Sequence, residues 1–154
     1  MKRAGQRGLT LIELVVAFTI MLILSVMAIP LARVKLRAER EVELKYALRD
    51  MRQAIDKYKD ACDIGTFGAI KQGSFCYPES LTILVEGVKT QSVDGKKMKF
   101  LRRIPRDPFT HSTEWGFRSM QDDIKSESWS GDNVFNVYSK TTERDRDGTP
   151  YSEW

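Results

Sequence analysis

Glu13 is the residue of this chain whose type and position most invite chemistry. It lies near the start of an almost unbroken apolar run, Leu9 to Ala32, in which only Thr10, Glu13, Thr19 and Ser25 are polar. A carboxylate near the end of a membrane helix costs roughly 2–3 kcal/mol unless something compensates it. Gly8 immediately precedes the run. A cut after Gly8 would give Leu9 a new α-amine about one helical turn from Glu13, so the carboxylate could pair with an amine, its own or that of a neighbouring copy. An amine from a neighbour would set the axial register of a polymer.

Other reactive residues are few. Cys62 and Cys76 are the only cysteines. If the globular part lies outside the cytoplasmic membrane, the compartment is oxidising and an even pair reads as a disulfide, stabilising by about 3 kcal/mol in the chain-entropy model. Two free thiols or a metal site are the alternatives. The metal site is poorly supported, because the only histidine, His111, is far off in sequence. His111, among Thr110, Ser112 and Thr113, reads as a surface residue. The sequence has no phosphate-binding glycine motif, no metal-ligand cluster and no convincing carboxylate dyad, so the chain does not read as an enzyme.

Helix is the element that must position Glu13. At ~1.5 Å per residue, the apolar run makes about 36 Å of helix, enough for a bilayer core of about 30 Å. Lys2, Arg3 and Arg7 precede it and favour the cytoplasmic side, which sends the rest of the chain outward. An ordinary secretory signal would also have a basic start and an apolar run, and Val26-Met27-Ala28 is a passable cleavage site for one. Glu13 interrupts such a signal near its start, and a plain signal anchor explains neither Gly8 nor Glu13. Loss of the three leader cations lowers the formal charge from +4 to about +1. The basic balance therefore argues little for nucleic acid, and charges of both signs are interleaved as on a solvated surface.

From Leu31 the pattern stays helical but becomes highly charged, with Glu41 and Lys45 in the favourable i, i+4 order. Leu44, Leu48, Met51, Ile55, Tyr58 and Cys62 form one apolar stripe, widened by Ala47, Ala54 and Ala61. We expect one helix from Leu9 to about Ala61, about 80 Å long, with a kink or local melting near Pro30. Gly65 and Gly68 end it, and a loop follows to residue 79. Ser80 is a candidate N-cap for a short helix, Leu81 to about Glu86, stopped by Gly87. Asp94-Gly95 reads as a turn. Pro105 and Pro108 exclude regular structure around them. Strands are expected at Glu114–Ser119 and Asn133–Ser139, with a polar loop from Gln121 to Asp132 between them. Tyr151–Trp154 reads as a last short strand or an aromatic tail. The aromatic and β-branched content fits a small antiparallel sheet laid on the amphipathic half of the long helix.

Lys2-Arg3-Ala4-Gly5-Gln6-Arg7-Gly8 followed by Leu9-Thr10-Leu11-Ile12-Glu13-Leu14-Val15-Val16-Ala17 resembles the class III signal of type IV pilins and type II secretion pseudopilins. The resemblance implies that a prepilin peptidase cuts after Gly8 and methylates the Leu9 amine. Leucine stands here where phenylalanine is usual. By the same resemblance Glu13 is the assembly glutamate, and Pro30 falls where many such helices carry a proline. Tyr77-Pro78 before the short helix, Leu101-Arg102-Arg103-Ile104-Pro105-Arg106-Asp107-Pro108-Phe109, and Val137-Tyr138-Ser139 resemble the major pseudopilins of type II secretion. That subgroup typically binds calcium in the loop after the Val-Tyr-Ser strand. Asp145 and Asp147 are the candidate oxygen ligands here, flanked by Arg144 and Arg146, and the usual Gly-x-Asp-Gly arrangement is missing.

Together these readings give an α+β, pilin-like chain: a long N-terminal helix, transmembrane and then amphipathic, packed on a small C-terminal antiparallel β-sheet domain. Residues 1–8 would be a prepilin leader, 9–32 the transmembrane and polymerisation helix, and 33–154 the periplasmic domain. The expected role is a structural subunit of a type II secretion pseudopilus, a homopolymer held in the bacterial inner membrane before assembly into a periplasmic filament. Its expected partners are a prepilin peptidase, minor pseudopilins, and an inner-membrane assembly platform with its ATPase, with no nucleic acid. A type IV pilin for adhesion, motility or DNA uptake is the alternative within the class. A membrane-anchored periplasmic binding module that never polymerises is the alternative outside it.

Overall fold

The structure of this chain, a computed structural model, describes residues 10–68, 73–91 and 95–154, and of residues 27–32 the backbone alone. One helix, α1, spans Leu11–Asp63. It is followed by α2 (Leu81–Glu86), β1 (Val88–Lys89), β2 (Lys97–Met98), β3 (Gly116–Arg118), β4 (Asn136–Tyr138) and a 3-10 turn at Tyr151–Glu153. The chain divides into two compact units, Met1–Glu39 and Arg40–Trp154.

α1 ends as its glycine dictates. Gly65 takes φ 73°, which a side chain would disfavour. Its N–H returns to Cys62 O at 2.8 Å, while Thr66 N–H returns to Ala61 O at 3.0 Å. These two bonds close a Schellman turn over the last carbonyls. The backbone is helical across Pro30, so the proline is accommodated within α1 rather than melting it.

In the second unit the apolar stripe does what its spacing requires. Leu44, Ala47, Leu48, Met51, Ala54 and Ile55 are buried with Tyr77, Leu81, Leu84, Trp115, Val134, Val137 and Tyr151 in one core. Ala61, Cys62 and Phe67 form a second cluster, onto which Tyr58, Cys76 and Phe100 pack. Cys62 and Cys76 are joined in a disulfide with Cα atoms 5.6 Å apart.

α2 falls where it was expected, but Ser80 does not cap it. The Ser80 hydroxyl bonds Thr82 Oγ1 at 2.6 Å instead. At Gly87, an added Cβ would lie 2.8 Å from Met98 O. Asp94 of the expected Asp94-Gly95 turn lies outside the described residues.

The sheet region departs from expectation. Among the described residues it is two separate antiparallel ribbons, β1–β2 and β3–β4, rather than one sheet. β3 and β4 pair Gly116 with Tyr138, Phe117 with Val137 and Arg118 with Asn136. The alternating sequence is longer than this ladder because neighbouring backbone groups bond elsewhere. Val134 N–H goes to Pro78 O at 2.8 Å, and Ser119 N–H goes to Asp122 Oδ2 at 2.7 Å. Gly116 is required where it stands, since a Cβ there would fall 2.3 Å from the Tyr138 ring. Tyr151–Trp154 is no strand: Tyr151 is fully buried, stacked on Phe109 at 4.5 Å with Trp154 edge-on at 4.7 Å.

Candidate assembly helix and its anchoring domain

The first turn of α1 is built by Thr10. Its carbonyl accepts from the N–H groups of Glu13 and Leu14 at 3.1 and 3.2 Å, and its hydroxyl lies 3.4 Å from Glu13 N. Thr10 and Glu13 thus occupy the N-cap and N3 positions of a Thr-x-x-Glu start, where a carboxylate also suits the helix dipole. This spacing was readable in the sequence and gives Glu13 a local role beside any assembly role. Gly8 and Leu9, the expected cleavage and methylation positions, lie outside the described residues.

From Leu11 to Val26 every large apolar side chain is at least half exposed, on all sides of the helix. A helix that is apolar all round requires an apolar surrounding. Its hydroxyls are already suited to one: Thr19 Oγ1 donates to Val15 O at 2.5 Å and Ser25 Oγ to Met21 O at 2.8 Å. Each bonds back one turn along its own helix and needs no outside partner. Among the described residues, the Glu13 carboxylate is then the one polar side chain of this stretch without a partner. Among the same residues no helix is long and apolar enough to cross a membrane. The expected span, 9–32, includes residue 9 and the side chains of 27–32, which lie outside them.

The second half of α1 is held to the domain by polar contacts that the sequence did not reveal. Arg52 donates through Nε to Asn136 Oδ1 at 2.8 Å and through Nη2 to Val137 O at 3.1 Å and to Trp154 O. Burial, and then the neighbouring charge of Arg118, lower its pKa. Arg118 is itself buried, donates to Ser126 O at 2.8 Å and Ser152 O at 3.1 Å, and lies 4.1 Å from the Tyr138 ring. Tyr151 Oη reaches Glu41 Oε1 at 2.7 Å. Burial, and then Glu79, raise the pKa of Tyr58 beside the disulfide cluster.

Asp107 explains the Pro-x-Asp-Pro loop. It is buried, its Oδ1 accepts from Phe109 N at 2.8 Å and Thr110 N at 3.3 Å, and its Oδ2 accepts from the buried Ser139 hydroxyl at 2.5 Å. The loop and the end of the Val-Tyr-Ser strand are therefore one construction. His111 is exposed in the same turn, at φ 53°.

Of the two calcium candidates, Asp145 is engaged by its own turn. Asp145 Oδ1 accepts from Asp147 N at 2.8 Å and Thr149 N at 2.9 Å. Arg144 Nη1 donates to Gly148 O at 3.0 Å. Among the described residues no group of three histidine, cysteine, aspartate or glutamate side chains could hold a metal. A calcium ion takes six to eight oxygens, and here Asp145 Oδ1 and the Gly148 carbonyl already accept hydrogen bonds from the turn itself.

A long N-terminal helix followed by a small antiparallel β region is a pilin-like arrangement. Residues 3–29, which include Gly8, Leu9 and Glu13, match the family model of the prokaryotic N-terminal methylation motif, and this match supports a type IV pilin-like precursor. No curated protein and no solved structure matches the chain.

Proposed function

We propose that this chain is a filament subunit made as a precursor, cut after Gly8 and N-methylated at Leu9. The observation that carries this reading is the stretch from Leu11 to Val26: exposed and apolar on every side, its hydroxyls internally satisfied, and its one carboxylate without a partner among the described residues. Residues 1–8 are then the leader, 9–32 the membrane and polymerisation helix, and 33–154 the domain outside the membrane. In the polymer the Leu9 amine of one subunit pairs with Glu13 of another, and the apolar helices bury one another.

Within the class we favour a type II secretion pseudopilus. The support is the likeness to major pseudopilins of the Tyr77-Pro78 segment, the Pro105–Pro108 loop and the Val137-Tyr138-Ser139 strand; the Asp107–Ser139 bond unites the last two in this fold. Such a subunit is structural. Its partners are copies of itself, minor pseudopilins, the prepilin peptidase and an ATP-driven assembly platform in the inner membrane.

Intact-mass and N-terminal analysis of the protein from cells with and without a prepilin peptidase tests the processing step. The expected result is a chain beginning at methylated Leu9 only when the peptidase is present. A chain beginning at Met1 or Ile29 in both strains overturns it.

A further inference from the structure

Segment 140–154 is closed by the protein's own donors. In its turn, the carbonyl of Glu143 accepts from Tyr151 N at 3.3 Å, that of Asp145 from Gly148 N at 3.3 Å, and that of Thr149 from Asp145 N at 2.8 Å. The carbonyl of Gly148 accepts from the Arg144 guanidinium at 3.0 Å, and Asp145 Oδ1 accepts two further main-chain N–H groups. Beyond the turn, Arg118 takes Ser152 O and Arg52 takes Trp154 O. Main-chain carbonyls and a carboxylate are the ligands a hard cation seeks. Each of the oxygens named above faces an N–H, and three of the donors are guanidinium groups, which carry positive charge at every physiological pH. A cation placed among them would have to displace hydrogen bonds and approach like charge.

We propose that guanidinium groups take the place of a divalent cation in fastening residues 140–154, so that the fold of this chain needs no calcium. Asp145 then serves as a hydrogen-bond acceptor, and its negative charge is not what the turn uses. This reading does not depend on which filament the chain builds, or on whether it builds one.

The test is thermal unfolding of the detergent-solubilised full chain in about 10 mM CaCl2 and again in excess EDTA, for wild type, Asp145→Asn and Asp145→Ala. An extracellular calcium site with Kd about 1 mM would raise Tm by roughly 5 °C at that concentration. We expect wild-type Tm to agree within about 1 °C between the two conditions, well below that shift. Asp145→Asn keeps an acceptor oxygen and should retain most of the wild-type Tm, whereas Asp145→Ala should fall by several degrees in both conditions. A saturable calcium-dependent rise in wild type that Asp145→Asn abolishes would overturn the proposal. If Asp145→Ala does not fold, the comparison of wild type with Asp145→Asn still decides it.

Discussion

The two halves of α1 carry similar apolar residues to opposite ends. In the first, Leu11 to Val26, leucine, isoleucine, valine, methionine and phenylalanine lie on all sides and all remain exposed. In the second, Leu44, Leu48, Met51 and Ile55 lie on one face and are almost wholly buried. An all-round apolar helix cannot be satisfied by one small domain packed on one side, whereas a single stripe can. The partner of the second half is encoded within the same chain. On the function proposed above, the partner of the first half comes from outside it, as lipid or as other copies. Polar chemistry follows the same division. Thr19 and Ser25 bond back to their own helix, while Arg52 reaches from α1 to β4 and the final turn.

Glu13→Ala is the sharpest way to break this comparison. If the first half polymerises through a Glu13–amine pair, removing one partner leaves a buried charge uncompensated, at about 3–5 kcal/mol. That is more than a hundredfold in association. Assembled filament, measured by shearing and sedimentation or by cross-linking between subunits, should vanish. Thermal unfolding of the domain should stay at the wild-type temperature, because the Glu13 carboxylate has no partner among the described residues. Undiminished filament in this variant would show that the first half finds its partners by apolar contact alone.

The same substitution made in both halves measures the contrast directly. Met51 is fully buried, and Met51→Ala should destabilise the domain by about 2–5 kcal/mol through lost burial and the cavity left behind. Met21 is two-thirds exposed, and Met21→Ala should leave the unfolding midpoint in urea unchanged. Equal effects would mean that the first half also packs within its own subunit.

The parts legible in the sequence were those with a period or a fixed spacing. The stripe from Leu44 to Cys62, the α2 boundaries and the Gly65 stop follow from helix geometry. The disulfide was one of three readings of Cys62 and Cys76 and is the one the structure takes. Less legible were contacts between residues distant in the chain. Nothing local in Arg52-Gln53 points to Asn136, and nothing in Asp107 points to Ser139; each is a surface-type residue whose partner only the tertiary fold supplies. The strands are shorter than their alternating sequences because alternation records which face a side chain takes, not where the adjacent N–H groups go. The Thr10–Glu13 start is also legible, as a Thr-x-x-Glu pattern ahead of an apolar run.

The excursion between β3 and β4 shows how far the second unit satisfies even its exposed chain from within, and it offers the smallest test. Asp122 Oδ2 accepts from Ser119 N at 2.7 Å and Ser130 N at 3.3 Å, so one carboxylate gathers both ends of the loop. The Ser119 bond, above all, lowers its pKa below the ordinary aspartate value. A lowered folded pKa means that the charged form contributes fully above the ordinary range, and that the contribution is lost as the pH falls through the lowered value. Trp129 reports this loop, since its indole N–H donates to Asn133 O at 2.8 Å and its ring meets Phe117 at 5.3 Å. The Trp129 indole N–H resonance should therefore shift toward its free position at pH below the ordinary aspartate range, in advance of global unfolding. Asp122→Asn should remove that step and leave Tm nearly unchanged, because the group is at the surface. If the step persists in Asp122→Asn, another carboxylate closes the loop.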